Sequence, residues 1–427
     1  MNLRIQCASS SNFFRLTNKN VKSLTRQISS TKPSLTSTPY TDKEEKIVFD
    51  PKLTKKAFEN TSSINLAREW AILRTMRIKP LHPIAKWMLK ESNEPHGKPL
   101  QFVLKPWLNQ FCVHGGRNEA IQAAKDHGYD TKMVIFDHST EKIEKAFEAR
   151  ETFVAYRAFL KREETKYIAT KGTGVAREAV YTNPHFKRHP EYKYAKKEFI
   201  KTARLAKKLD KIMFIDAEEL AVNGAITKIG IELMRKYQGH IYITIQATQN
   251  DAIEQIEKFL EDLDKTGSQN TKYMKHPLPL NLKLVRDGYS KDRTNNPDKK
   301  FQTIDETHAN YNKIQKFCSE HPRINAITCT HNPTSLKNAE TLGDEQVGQL
   351  HGMSIVHGLS SKLDSITYLI SNPSWKKQSE YIDRRIDEFG ETEPRREIMV
   401  ETEIIRRLSC LFHNKNPHQL NYPNVFF

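Results

Sequence analysis

Long apolar runs are missing from this 427-residue chain. No stretch approaches the roughly 20 residues that a bilayer-spanning helix requires, so a transmembrane helix is excluded. Cysteine is scarce too: Cys7, Cys112, Cys318, Cys329 and Cys410 are odd in number, widely spaced and form no CxxC pair. That argues against a disulfide framework or a zinc site and leaves reduced thiols as the default. Acids are missing from one region only. Residues 1–41 carry Arg4, Arg15, Lys19, Lys22, Arg26 and Lys32 but no Asp or Glu before Asp42. A Ser/Thr-rich, acid-free leader with Phe13, Phe14 and Leu16 for one apolar helix face reads as a mitochondrial transit peptide.

What is present suits a globular protein with a heavily charged surface: 37% hydrophobic residues, 28% charged residues and a net charge of +17. Much of the positive excess lies in residues 187–211, where ten Lys and Arg face three acids. Such a stretch is a solvated helix face or a docking site for an anionic surface. Earlier, Leu66, Trp70, Leu73 and Met76 recur at helical spacing and predict an amphipathic helix over 64–78. Short apolar runs then alternate with helix-like segments: 133–136, 167–170, 212–215, 240–245, 282–285, 324–329, a weaker one at 347–350, and 365–370. Eight runs joined by helical crossovers predict parallel strands, and the count favours an α/β fold of the (β/α)8 TIM type over an open sheet. The expected organisation is a leader at 1–40, an N-terminal helical arm at 41–105, the barrel at 106–390 and a C-terminal helical tail at 391–427.

Polar residues stand where the runs stop. Lys171 follows the second, Asp216 the third, Gln246 the fourth, Arg286 and Asp287 the fifth, and Thr330, His331 and Asn332 the sixth. In a barrel the carboxyl ends of all strands open on one face, so residues far apart in sequence converge on one mouth.

The motifs carrying these residues resemble those of the proline dehydrogenase family over roughly residues 105–390. "LKLVRDGY" is similar to that family's K-L-V-R-G-A-Y, "FIDAEE" to V-D-A-E, "TIQAT" to L-Q-A-Y, "CTHNPTSL" to A-T-H-N-x-x-S and "GQLHGM" to Q-L-x-G-M. "NQFCVHGG" resembles the entry segment ending F-C-A-G-E, and "YIDRRIDEFG" resembles Y-L-x-R-R-x-x-E-N. The resemblance implies an FAD enzyme that oxidises L-proline to 1-pyrroline-5-carboxylate and passes electrons to a quinone. By the same likeness Gln246, Lys283, Val285, Arg286, Gly288, Thr303, His331 and Glu388 contact FAD. Arg384 and Arg385 grip the substrate carboxylate, Lys171 adds a third cation with Asp216 as its partner, and Tyr289, Leu350 and Tyr368 wall the ring. Asp287, Thr248 and Phe389 depart from the motifs, which leaves open another imino acid such as hydroxyproline. A quinone acceptor gives the basic surface a task at the matrix side of the mitochondrial inner membrane. The alternative is a non-catalytic barrel binding membrane or nucleic acid, the latter being the less favoured partner. The sequence leaves the oligomeric state unspecified.

Overall fold

The computed structural model describes residues 61–126, 128–265, 277–286, 288, 291–330, 366–389 and 395–413, with isolated positions at 55, 58, 332, 334, 335, 338, 348 and 349. Three helices lead in: α1 (Ser63–Met76), α2 (His82–Glu91) and α3 (Lys98–Phe111). The Ser62 side chain starts the first of them by accepting from the Asn65 amide at 3.2 Å. There follow β1 (Val113–His114), α4 (Arg117–Asp126), β2 (Val134–His138), α5 (Ala146–Leu160), β3 (Tyr167–Thr170), α6 (Glu178–Tyr181), α7 (Pro190–Lys208), β4 (Ile212–Ile215) and α8 (Leu220–Lys236). Next come β5 (Ile241–Gln246), α9 (Ala252–Lys265), β6 (Leu280–Val285), α10 (Lys291–Asn295), α11 (Ile304–Glu320), β7 (Ile324–Cys329) and β8 (Gly348–Gln349). The described elements end with β9 (Ile366–Asn372), α12 (Trp375–Phe389) and α13 (Arg395–His413).

The strands form a (β/α)8 barrel. Parallel ladders run β9-β2-β3-β4-β5-β6-β7, and the two-residue β8 pairs with β9 while lying against β7, which takes the eighth place in the ring. Each of the eight apolar runs coincides with one of these strands to within two residues at either end. The extra strand, β1, was not expected; it is a short parallel addition to β9, pairing Val113 with Ser371.

Two-residue alternation builds two apolar layers. In β6, Leu280, Leu282 and Leu284 are fully buried in the layer between strands and helices. The intervening Asn281, Lys283 and Val285 face the barrel interior, where Asn281 donates to the Ile241 carbonyl at 3.1 Å. Tyr167, Phe214 and Tyr242 from three neighbouring strands fill that interior, with ring centroids 6.1 and 5.2 Å apart. Gly230 on α8 marks a close helix approach, since a Cβ there would lie 2.3 Å from Ile243.

The arm helices brace the end of the chain. Arg74 on α1 binds Glu397 on α13 at 2.6 Å, and Arg407 donates to the Phe58 carbonyl at 2.8 Å. α2 packs on α12, and Trp375 Nε1 donates to Ser92 Oγ at 2.8 Å. The arm thereby fixes the helix that carries Arg384 and Arg385. The four described cysteines, Cys112, Cys318, Cys329 and Cys410, are free thiols.

Candidate active site

Strands β2, β6 and β9 and the residues just past β3 and β4 place five polar side chains in one buried row. Lys171, just past β3, contacts Asp137 at 2.5 Å and Glu141 at 3.0 Å. Glu141 in turn holds Arg384 of α12 at 2.7 Å. On the other side, Tyr368 Oη lies 2.8 Å from Asp137 Oδ2 and 2.8 Å from Asp216 Oδ2. Asp216 then binds Lys283, whose amine also sits over the rings of Phe214 and Tyr368 at 5.8 and 5.1 Å. The sequence Arg384, Glu141, Lys171, Asp137, Tyr368, Asp216, Lys283 is a continuous alternation of donors and acceptors across the mouth.

One proton count is unavoidable here. The Tyr368 hydroxyl has a single hydrogen and two carboxylate neighbours, so it donates to one and accepts from the other only if that one is protonated. Asp137 is shifted toward its protonated form. Burial pushes its carboxyl above the usual range against the pull of Lys171, and the Asp216 charge adds to the push. Glu141 behaves in the opposite way: burial opposes its charge, but Arg384 and Lys171 hold it down to about 2. A third acid, Glu218, is raised to about 7 by burial and by the Glu141 charge. Its carboxyl accepts from the Thr173 amide at 2.9 Å and touches the Thr173 hydroxyl.

The second half of the mouth lies at β5, β6 and β7. Gln246 donates through Nε2 to the Glu218 carbonyl at 3.2 Å, and a Cβ on Gly288 would come within 3.8 Å of the same Nε2. The Val285 carbonyl accepts from the Ala247 amide at 2.9 Å. Arg286 donates to His308 Nδ1 at 2.8 Å, Thr330 Oγ1 at 2.9 Å and Ser335 Oγ at 2.7 Å, and stacks 4.2 Å from the Tyr311 ring centroid. No carboxylate among the described residues neutralises it, and burial lowers its pKa to about 10. Thr303 is exposed and caps α11, accepting from the Glu306 amide at 3.2 Å.

Of the residues expected at the site, Lys171, Asp216, Tyr368, Lys283 and Arg384 meet in one network. Arg385 stacks beside Arg384 on Tyr381, at 5.2 and 5.7 Å. Gln246, Val285, Arg286 and Gly288 gather at the adjoining strand ends. Tyr289, Leu350 and His331 lie outside the described residues, as does the side chain of Glu388, although its backbone belongs to α12. One partnership differs from expectation: Asp216 pairs with Lys283 rather than Lys171. Asp137 of β2, Asp216 just past β4 and Lys283 of β6 face the barrel interior, and Lys171, just past β3, turns to Asp137 of the neighbouring β2. Asp137, Glu141 and Glu218 were not anticipated. Asp137 obeys the same strand-end rule as its neighbours, and Glu218 stands within the "FIDAEE" motif, so both carried a signal.

The family model for proline dehydrogenase matches residues 118–392. Among solved structures, proline utilization A from Bdellovibrio bacteriovorus inactivated by N-propargylglycine is similar with a TM-score of 0.59 and 16% identity, over 87% of this chain and 44% of that one. A mutant of the Bradyrhizobium japonicum protein gives 0.55 and 15% over 88% and 45%, and the Corynebacterium freiburgense protein 0.52 and 16% over 77% and 35%. The chain thus spans less than half the length of these structures, which share its fold. No curated protein matches it. With the matched segment running from α4 through α12 and enclosing every strand of the barrel, this chain belongs to the proline dehydrogenase family.

Proposed function

We propose that the chain is an FAD-dependent enzyme oxidising L-proline, or a closely related imino acid, to 1-pyrroline-5-carboxylate, with a quinone as the electron acceptor. The observation that carries this reading is the buried row from Arg384 to Lys283 beside Arg286, a guanidinium with only neutral partners among the described residues. Proline brings a carboxylate and a ring nitrogen. Arg384 and Arg385, neighbours on one helix, suit the carboxylate, and two planar guanidiniums fix its orientation as well as its charge. Glu141 holds Arg384 in place and Lys171 holds Glu141, so the grip is pre-organised rather than assembled on binding. Tyr368 bonds to both Asp137 and Asp216 in a buried row, and the raised proton affinity of Asp137 suits a substrate whose nitrogen must change protonation.

The residues at β5 and β6 fit FAD. Arg286 offers an unneutralised charge for the diphosphate, Gln246 a buried amide, Gly288 a place without a side chain, and Val285, Thr303, His331 and Glu388 complete the expected set. Lys283 acts from beneath, through Asp216. When bound, the flavin supplies the acceptor for the hydride leaving the ring carbon next to nitrogen. The leader at residues 1–40 assigns the protein to the mitochondrion, on the matrix side of the inner membrane, where a quinone is at hand. Purified protein should be yellow, and its flavin absorption should bleach when L-proline or hydroxyproline is added without oxygen. Colourless protein, or colour that neither imino acid bleaches, ends the proposal in favour of a non-catalytic barrel.

A further inference from the structure

The helices ahead of the barrel have a second face. α2 and α3 bury Leu89, Leu104, Leu108 and Phe111 inward. Their outer sides are not polar, as an ordinary surface helix would be. Ile84 and Trp87 on α2 are 54% and 57% exposed, and Phe102 and Val103 on α3 are 82% and 57% exposed. Leu81, directly before α2, is exposed as well. Lys79, Lys90, Lys98 and Lys105 stand in the same segment, exposed and without an ion pair among the described residues. Large apolar and aromatic side chains interleaved with unpaired lysines match a bilayer surface, whose headgroups are anionic and whose upper acyl layer is apolar. Among the described residues no helix is long and apolar enough to cross a membrane, so the contact is one of lying on the surface.

We propose that the outer face of α2 and α3 docks this protein on an anionic lipid surface, with Trp87 and Phe102 in the headgroup layer and the four lysines on lipid phosphates. Basic α7 is the weaker candidate. Its solvent side is hydrophilic apart from Tyr194 and Leu209, at 38% and 37% exposure, and Lys196 and Lys201 are already paired with Glu232 and Glu198. It offers charge with little to insert. Since α2 packs on α12, which bears Arg384 and Arg385, docking keeps the active site close to a lipid-phase acceptor. That purpose rests on the quinone reading, whereas lipid binding itself does not.

The test is sedimentation of the full chain with vesicles of phosphatidylcholine containing about one third phosphatidylglycerol, over a salt series, alongside proline oxidation with a soluble dye as acceptor. The expected result is binding that survives physiological salt and falls about tenfold or more in the Trp87→Asp, Phe102→Asp double variant, with dye reduction unchanged. Binding without dye reduction would sink the catalytic reading and leave the docking face standing. No binding by the unaltered chain overturns the docking face. So does binding that ignores the double variant but disappears when Lys193 and Lys197 become Glu, or a dimer in solution that the double variant splits, which would make a second copy the occupant.

Discussion

Lys283 and Arg286 stand three residues apart at the end of β6, yet they are held in opposite ways. Lys283 is 1% exposed, locked to Asp216 and enclosed by two aromatic rings. Arg286 is only partly buried, and its described partners are a histidine, a threonine, a serine and a tyrosine ring. The first cation is complete without a ligand and serves to position Asp216. The second has no carboxylate among its described partners and keeps its whole charge. Among the acids the same division holds: Asp216 has its lysine, whereas the Glu218 carboxyl is bonded to neutral groups alone among the described residues.

Breaking the complete pair should produce the largest effect. Asp216→Ala strands the Lys283 ammonium in the barrel interior and should cost about 3–5 kcal/mol, read from the urea midpoint. A loss below about 1 kcal/mol would mean that the lysine finds another partner, and the distinction between the two cations would fail. Glu218 comes next. Its folded pKa, about 7, exceeds the ordinary value of 4.5, so the protonated form is the stabilised one. Its contribution is complete below about pH 4.5 and is lost as pH rises through about 7, by an amount on the order of 3 kcal/mol. Glu218→Gln, whose carboxamide oxygen still accepts from the Thr173 amide, should remove that slope and be the more stable protein at pH 8.

Arg286→Met sharpens the comparison from the other side. Removing a partly buried cation whose described partners are neutral leaves no opposite charge stranded, so the apoprotein should lose at most about 2 kcal/mol, from the hydrogen bonds to His308, Thr330 and Ser335. Flavin retention should fall about 10- to 100-fold, the worth of charge-assisted hydrogen bonds to a diphosphate. Equilibrium dialysis against FAD, set beside thermal melts of the apoprotein, separates the two quantities. Equal damage to both would show that Arg286 is structural.

Much of this was legible in the sequence because the relevant signals are periodic. The eight apolar runs gave strands within two residues, and the strand-end rule picked out Lys171, Asp216, Gln246 and Arg286. Pairing was less accessible. Lys171 and Asp216 end neighbouring strands and look like natural partners, but Lys171 turns to Asp137 on its other side and Asp216 meets Lys283. Glu141 lies in a loop, where no period marks it, and its role depends on Arg384 arriving from a helix more than two hundred residues later. β1 escaped notice because two residues are too few to show alternation.

The smallest effect concerns Thr303, expected from the resemblance to touch FAD and observed as the N-cap of α11. Thr303→Ala should cost about 1 kcal/mol through the lost cap, too little to distinguish the two roles. Thr303→Asp does distinguish them. Aspartate caps a helix as well as threonine and complements the helix dipole, which offsets the lost hydroxyl donation to Glu306, so stability should be retained within about 1 kcal/mol. An added negative charge close to a bound diphosphate would nevertheless weaken flavin binding by repulsion, just as removing the Arg286 charge does. A Thr303→Asp protein with normal melting and reduced FAD content places this cap on the cofactor's side of the mouth. Normal melting with normal FAD content limits Thr303 to starting the helix, and leaves Arg286 to answer the cofactor's charge without it.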